Sequence, residues 1–212
     1  MRRSAVTRAL PLVMAGVLAA LGAAGAAPTT YKTDPAHSEV GFDIRHIFTK
    51  VHGRFTRFTA TIVHDPQNIA ASRVDAEIEA ASISTDNERR DNDLRSSNFF
   101  AVDTFPKITF SSKSVSAGPN GSFLVNGDLT MHGVTKPVTL TANFLGSGPA
   151  MGGMTKAGFE GTTRINRKDF GIVWNRTLDS GNPLLGDDVD IAIRIEGNVP
   201  PPPGAEGAPK KN

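Results

Sequence analysis

The amino-acid sequence predicts an all-β fold of eight amphipathic, antiparallel strands. From about residue 30 onward, apolar side chains recur at every second position, which is the period of a β-strand. In the first predicted strand, for example, Val40, Phe42 and Ile44 alternate with charged residues. One face of each predicted strand is therefore apolar and the other polar. This pattern is typical of antiparallel sheets with one face in water, and not of parallel sheets buried on both faces.

The same alternation predicts the other seven strands, and turn residues such as Asp-Pro-Gln-Asn at 65–68 and Pro-Asn-Gly at 119–121 separate them. Phe55 and Phe58 break the alternation within one strand, so we expect a bulge there or one outward ring. The apolar positions of these seven strands are Phe58, Ala60 and Ile62; Val74, Ala76 and Ile78; Ile108 and Phe110; Phe123, Val125, Leu129 and Met131; Val138, Leu140, Ala142 and Phe144; Ala157, Phe159 and Ile165; and Val189, Ile191, Ile193 and Ile195.

Eight such strands can form either a sandwich or a closed barrel, and the alternation alone does not separate the two. Glycines inside predicted strands, such as Gly41, Gly127 and Gly161, suit the strongly coiled strands of a barrel. One segment differs: Thr85 followed by Glu88 forms a capping box, which predicts a short, solvated helix over residues 86–97.

The two ends of the chain differ from its middle in composition. Residues 1–26 combine basic residues, an apolar stretch and Ala-Gly-Ala at 24–26, so they are predicted to be a secretory signal peptide. Residues 27–199 are predicted to form one β domain, and the Pro- and Gly-rich residues 200–212 a disordered tail. Three of the 23 basic residues lie in the first eight positions, so cleavage would leave 20 basic against 21 acidic residues. That balance argues against nucleic-acid binding.

Several chemistries find no support in the residues. The chain has no cysteine, which excludes disulfides, thiol catalysis and thiolate metal sites. The five histidines match no helical metal motif, and no Gly-x-Ser-x-Gly nucleophile elbow is present. We therefore predict no catalytic residue, no metal ligand and no cofactor, and we expect the protein not to be an enzyme.

Six stretches of the sequence, within about residues 31–198, form a specific set of motifs when taken together and in order. The stretches are residues 34–38 (DPAHS); His46 with 51–55 (VHGRF); 82–85 (SIST) with Arg90, Asp91 and Leu94; 99–110, from Phe-Phe to FPKITF; 127–136 (GDLTMHGVTK); and 165–172 (INRKDFGI). Through these stretches the chain resembles the YceI-like family of bacterial periplasmic proteins.

The resemblance implies an extended eight-stranded antiparallel barrel, lipocalin-like in architecture, with a short helical insert and a long apolar channel. It also implies binding, transport or storage in the periplasm of a long-chain apolar lipid. The implied lipid is a polyisoprenoid, either a prenyl diphosphate or an isoprenoid quinone. No nucleic acid and no stable membrane span after signal cleavage are expected, and a homodimer is left open.

The candidate ligand-binding residues are aromatic side chains on the inward face, together with polar residues near the strand ends. Arg90 and Arg167 would either hold a polar head group through their guanidinium forks or tie loops to the rim, for instance through Asp91 or Asp169. The full set is Phe42, Phe58, Phe110, Phe123, Phe144, Phe159, Trp174, His46, Arg90 and Arg167.

Two other functions remain open from the sequence. The phenylalanines can fill a solid core, and the barrel would then act as an interaction module or a stress-related structural module without a ligand. An enzyme acting on an isoprenoid is the third hypothesis, and it requires a polar cluster with perturbed pKa values inside the barrel.

Overall fold

A computed structural model describes residues 27–150 and 153–200, so the predicted signal peptide and residues 201–212 of the predicted tail lie outside it. Within these ranges, no helix has the length and hydropathy needed to cross a membrane. The elements are β1 (Thr29–Thr33), β2 (Glu39–His46), β3 (Thr49–Phe55), β4 (Phe58–His64), β5 (Arg73–Glu79), β6 (Ile83–Ser84), α1 (Glu88–Arg95), β7 (Lys107–Ala117), β8 (Phe123–Met131), β9 (Val134–Pro149), β10 (Thr155–Asn166) and β11 (Leu185–Asn198).

These strands form one antiparallel sheet that closes on itself. Around the barrel the order is β1-β4-β5-β7-β8-β9-β10-β11, and β11 pairs back with β1 at Lys32↔Asn198 and Thr33↔Gly197. The segments β2, β3 and β6 continue β1, β4 and β5 lengthwise, because β2 pairs with β11 and β3, and β3 pairs with β6. Three of the eight barrel strands are thus broken in two. The predicted eight-stranded antiparallel barrel is confirmed, and the pairing of β1 with β11 closes the ring.

The break between β3 and β4 explains the two phenylalanines that are out of parity. Residues Thr56 and Arg57 leave the ladder, and their backbone N–H groups donate to Ser82 O and Ser82 Oγ, each at 3.1 Å. The interruption resets the alternation, so Phe55 and Phe58 both face the barrel interior. An irregularity was expected here, and neither ring needs to point outward.

The helical insert is present, but its start differs from the prediction. α1 spans Glu88–Arg95, and its N-cap is Asn87, whose side chain accepts from the backbone N–H of Arg90 at 3.0 Å. Thr85 is not the cap, because its hydroxyl donates to Asp91 Oδ1 at 2.5 Å and accepts from Arg90 Nε at 2.6 Å. Side chains of the insert therefore take the group that the capping-box pattern assigned to the helix N-terminus.

The two ends of the barrel are built from different connections. The helix end comprises residues 47–48, 85–106, 132–133 and 167–184, and the aromatic end comprises residues 65–72, 118–122 and 150 with 153–154. Phe170 and Ile83, the largest fully buried side chains of the described residues, pack in the core cluster of the helix end. A smaller cluster centred on Phe110, Val115 and Val125 lies between β7 and β8.

Gly127 of β8 permits a close approach that a larger residue would obstruct. A Cβ atom at this position would lie 2.5 Å from Ser111 O and 2.6 Å from Phe110 Cζ. We expect Gly127→Ala to destabilise the barrel by about 1–3 kcal/mol, as overpacking does. Urea unfolding followed by circular dichroism measures this. Gly148→Ala is the control, because a Cβ there meets nothing within 4 Å, and an equal loss in both variants would contradict the steric explanation.

Candidate functional site

The barrel encloses a cavity of about 780 Å³ that extends between its two ends. Strand side chains that follow the inward alternation form its wall, and most of them are apolar. A volume of this size lies in the range of small-molecule sites, which span roughly 300–1,000 Å³. The cavity contradicts the alternative of a filled barrel, because the phenylalanines leave room between them.

All ten predicted ligand-binding residues border this cavity. The six phenylalanines come from six different strands, so their rings are spread around the bore. Their contact with a ligand stays a prediction. The residues concerned are Phe42, Phe58, Phe110, Phe123, Phe144, Phe159, Trp174, His46, Arg90 and Arg167.

Arg167 lies at the helix end, and the protein itself uses its N–H groups. Its Nε donates to Gly186 O at 2.9 Å, and its Nη1 donates to Ile172 O at 2.7 Å and Trp174 O at 2.8 Å. The expected ion pair forms with Asp187 at 3.3 Å, and not with Asp91 or Asp169. Burial lowers the pKa of Arg167, and the charge of Asp187 opposes this shift. The geometry gives Arg167 a structural task, which is to hold residues 172–174 and the start of β11.

Arg90 is anchored in a small network at the start of the helical insert. Its Nε donates to Thr85 Oγ1 at 2.6 Å and its Nη2 to Thr85 O at 2.9 Å. The buried Asp91 carboxylate accepts from both the backbone N–H and the hydroxyl of Thr85. Three further residues missing from the prediction, Asn87, Arg89 and Asp93, border the cavity at this end. The helix end is therefore the more polar end of the cavity, with charges of both signs.

Trp174 and His46 border the cavity at the same end. Trp174 packs against Phe99, with ring centroids 5.2 Å apart. His46 is the last residue of β2, as its predicted place at a strand end requires. His132 lies in the turn between β8 and β9, and its Nδ1 is 3.0 Å from Phe170 O. This contact holds the backbone of the buried Phe170 at the helix end.

Sequence reasoning missed His64, which borders the cavity at the aromatic end. It continues the inward parity of Phe58, Ala60 and Ile62, so the same alternation contained the signal. Its ring stacks on Phe144 with centroids 4.5 Å apart. Burial lowers the pKa of His64, and the charge of neighbouring Asp65 opposes this.

A second polar cluster that the sequence did not predict joins the segment between β1 and β2 to β11. Ligand atoms of Asp34, His37 and Glu196 lie within 4.8 Å of one another, as in a metal site. The ammonium group of Lys156, however, bonds to both carboxylates, at 2.8 Å to Asp34 Oδ2 and at a shorter distance to Glu196 Oε1. Lys156 thus supplies the positive charge that a metal would supply. These bonds lower the pKa of Asp34 and raise the pKa of Lys156.

We expect Lys156→Met to weaken the barrel at neutral pH and to flatten its acid sensitivity. The pKa of Asp34 lies below its ordinary value of 3.8, so its pairing stabilises the fold above that pH and is lost as pH falls further. Urea midpoints at neutral pH and at about pH 3 should differ less in the variant than in the parent. Lys113→Met, at an exposed lysine paired with Asp128, is the control. Equal acid sensitivity in parent and variant would contradict the assignment.

Comparison with known proteins agrees with this architecture. The YceI-like domain model matches residues 31–197. A UPF0312 protein of Vibrio vulnificus is 36% identical over 200 residues, which cover 93% of this chain and 98% of that protein. A UPF0312 protein of Vibrio cholerae is 39% identical over 187 residues, covering 87% of this chain and 94% of that protein.

Solved structures give the same picture. The YceI protein of Campylobacter jejuni is 32% identical, covers 79% of this chain and 96% of its own, and superposes with a TM-score of 0.63. Burkholderia cenocepacia BcnA, at 22% identity, covers 77% and 98% with a TM-score of 0.69. A polyisoprenoid binding domain from Saccharophagus degradans shares the fold at 15% identity, with a TM-score of 0.58 over 82% of this chain and all of that one. From the matched residues and the closed barrel together, we conclude that this chain belongs to the YceI-like family.

Proposed function

We propose that this protein binds one long-chain apolar lipid, a polyisoprenoid, inside its barrel and carries or stores it in the periplasm. The observation that carries the proposal is the open cavity of about 780 Å³ whose wall is mostly apolar along its length. An empty cavity of this size weakens a fold, since its lining loses packing contacts. An apolar chain in the cavity restores those contacts.

Burial of the lipid's hydrocarbon chain supplies enough free energy for tight binding. Each buried methylene contributes about 0.8 kcal/mol, so about ten methylenes contribute roughly 8 kcal/mol before the cost of association. A branched chain suits a bore in which rings from six strands alternate with aliphatic side chains. Affinity for the chain therefore needs no charged contact, and the polar head adds selectivity.

Location and ligand class have separate supports. The proposed periplasmic location rests on the predicted signal peptide at residues 1–26 and on the family. The Saccharophagus degradans domain is described as polyisoprenoid binding, and its likeness to this chain concerns the fold. The polyisoprenoid assignment therefore rests on the family resemblance and on that description, and the cavity of this chain supports an apolar ligand. The proposal assigns no catalytic step.

The deciding experiment is organic extraction of protein purified from its native periplasm, followed by mass spectrometry. We expect one polyisoprenoid per chain, and its mass identifies the head group as a diphosphate or a quinone. Another periplasmic protein purified through the same steps is the control for carried-over lipid. A folded protein that yields no apolar species, even after incubation with isoprenoids, would refute the proposal.

A further inference from the structure

His64 occupies an unusual place in the bore. It ends β4, and the three rings closest to it lie on β8, β9 and β10, on the far side of the barrel from β4. Its ring centroid lies 4.5 Å from that of Phe144, 6.1 Å from Phe123 and 6.2 Å from Phe159. The imidazole therefore spans the bore, and these four rings form a floor to the cavity at the aromatic end.

The imidazole is a polar group among apolar neighbours. Across residues 27–150 and 153–200, no hydrogen bond to its ring is formed, although the whole residue is only 8% exposed. In those ranges, Asn198 Oδ1 is the one side-chain polar atom that is both fully occluded and without a partner. The ring nitrogens of His64 have no protein partner either, so they are not fully occluded. The cavity is among the spaces that the His64 side chain borders. These nitrogens have no protein partner in an apolar part of the cavity, and a bound molecule that reaches them can supply one.

The surroundings select an uncharged partner. The Asp65 carboxylate is engaged by the backbone N–H groups of Gln67 and Asn68, each at 2.9 Å, and burial keeps His64 neutral at neutral pH. A neutral imidazole offers one N–H donor and one nitrogen acceptor. The cations that border the cavity, Arg89, Arg90 and Arg167, belong to the helix end, and the charged residue next to Phe159 is the carboxylate Glu160. Among the described residues that border the cavity, none at this floor offers a cation to a phosphate.

We propose that His64 is a ligand-recognition residue that hydrogen-bonds an uncharged oxygen, a hydroxyl or a carbonyl, on the end of the lipid that reaches the aromatic end. The chain then runs along the bore toward the helix end. This inference rests on the proposed function, because it concerns a lipid in the same cavity. It adds the chemical class of the group recognised, the residue that recognises it and the direction of the ligand.

Competitive loading tests the inference. The protein is incubated with an equal mixture of geranylgeraniol and the matching hydrocarbon that lacks the hydroxyl, and the bound ratio is measured by extraction and mass spectrometry. The alcohol-to-hydrocarbon ratio bound by the parent should exceed the ratio bound by His64→Phe, which extends the aromatic floor, by about tenfold, the value of one hydrogen bond to a group otherwise left unpaired. His64→Gln keeps a donor and an acceptor and should retain part of this difference. His52→Gln, on the exposed outer face of β3, should match the parent.

The outcomes separate the two proposals. An alcohol-to-hydrocarbon ratio that is unchanged in folded His64→Phe overturns the inference and leaves lipid binding intact. Loading of neither probe by the parent counts against the proposed function itself. Preferential loading of geranylgeranyl diphosphate over the alcohol also overturns the inference, because it requires cations at the head-group site.

Discussion

Replacing Gly161 by phenylalanine is expected to weaken binding of a long apolar chain by about 100-fold or more while leaving the barrel folded. Gly161 faces the cavity from β10, and a Cβ there would meet only Ile193 Cβ, at 3.9 Å. The added side chain therefore enters the bore without a backbone clash. It takes the space of roughly four methylenes, each worth about 0.8 kcal/mol.

The fluorescence of Trp174, the only tryptophan of the chain, reports the titration, since this side chain borders the same cavity. Thermal unfolding without lipid should give a midpoint equal to or above that of the parent, because the new ring fills empty volume. Thr162→Phe, at the next position on the exposed outer face of β10, is the matched control. Parent-like affinity in a folded Gly161→Phe variant would show that the lipid binds elsewhere.

Replacing Arg167 by methionine is expected to destabilise the barrel by about 3–5 kcal/mol, because it leaves backbone carbonyls buried without donors. The Arg167 side chain is 3% exposed and donates to the carbonyls of Gly186, Ile172 and Trp174. Arg167→Lys should recover little, since one ammonium group cannot reproduce the planar fork that reaches these oxygens. Urea unfolding measures both variants.

Lys168→Met is the control for Arg167, because Lys168 contacts the same Asp187 carboxylate from an exposed position. We expect its stability to change by less than about 1 kcal/mol, as is usual for surface ion pairs. If Arg167→Met were as stable as Lys168→Met and lost only lipid affinity, Arg167 would be a head-group ligand and the structural task assigned to it would be wrong.

The sequence by itself determined the strands and the direction of their side chains. Alternation is a local property of extended backbone, so the positions of Phe42, Phe110 and Phe144 on the inward face followed directly from the residues beside them. The same alternation places His64 on the inward face, after Phe58, Ala60 and Ile62. The capping-box pattern did not give the correct start of α1, because the Thr85 hydroxyl is hydrogen-bonded to Asp91 and Arg90.

Tertiary structure alone decided whether the sheet closes, what the interior holds and which partners the polar groups find. Closure depends on Lys32 pairing with Asn198, at opposite ends of the domain, and no local pattern encodes such a pairing. The volume of the cavity depends on how far the rings from six strands extend into the bore, so it is set by the whole barrel and not by any one strand. The sequence leaves open whether Arg167 holds a head group or ties a loop to the rim. In the folded protein, backbone carbonyls from other parts of the chain accept hydrogen bonds from its donors. Local backbone geometry determines which face of the sheet a side chain lies on, whereas the groups that it contacts there come from distant parts of the chain.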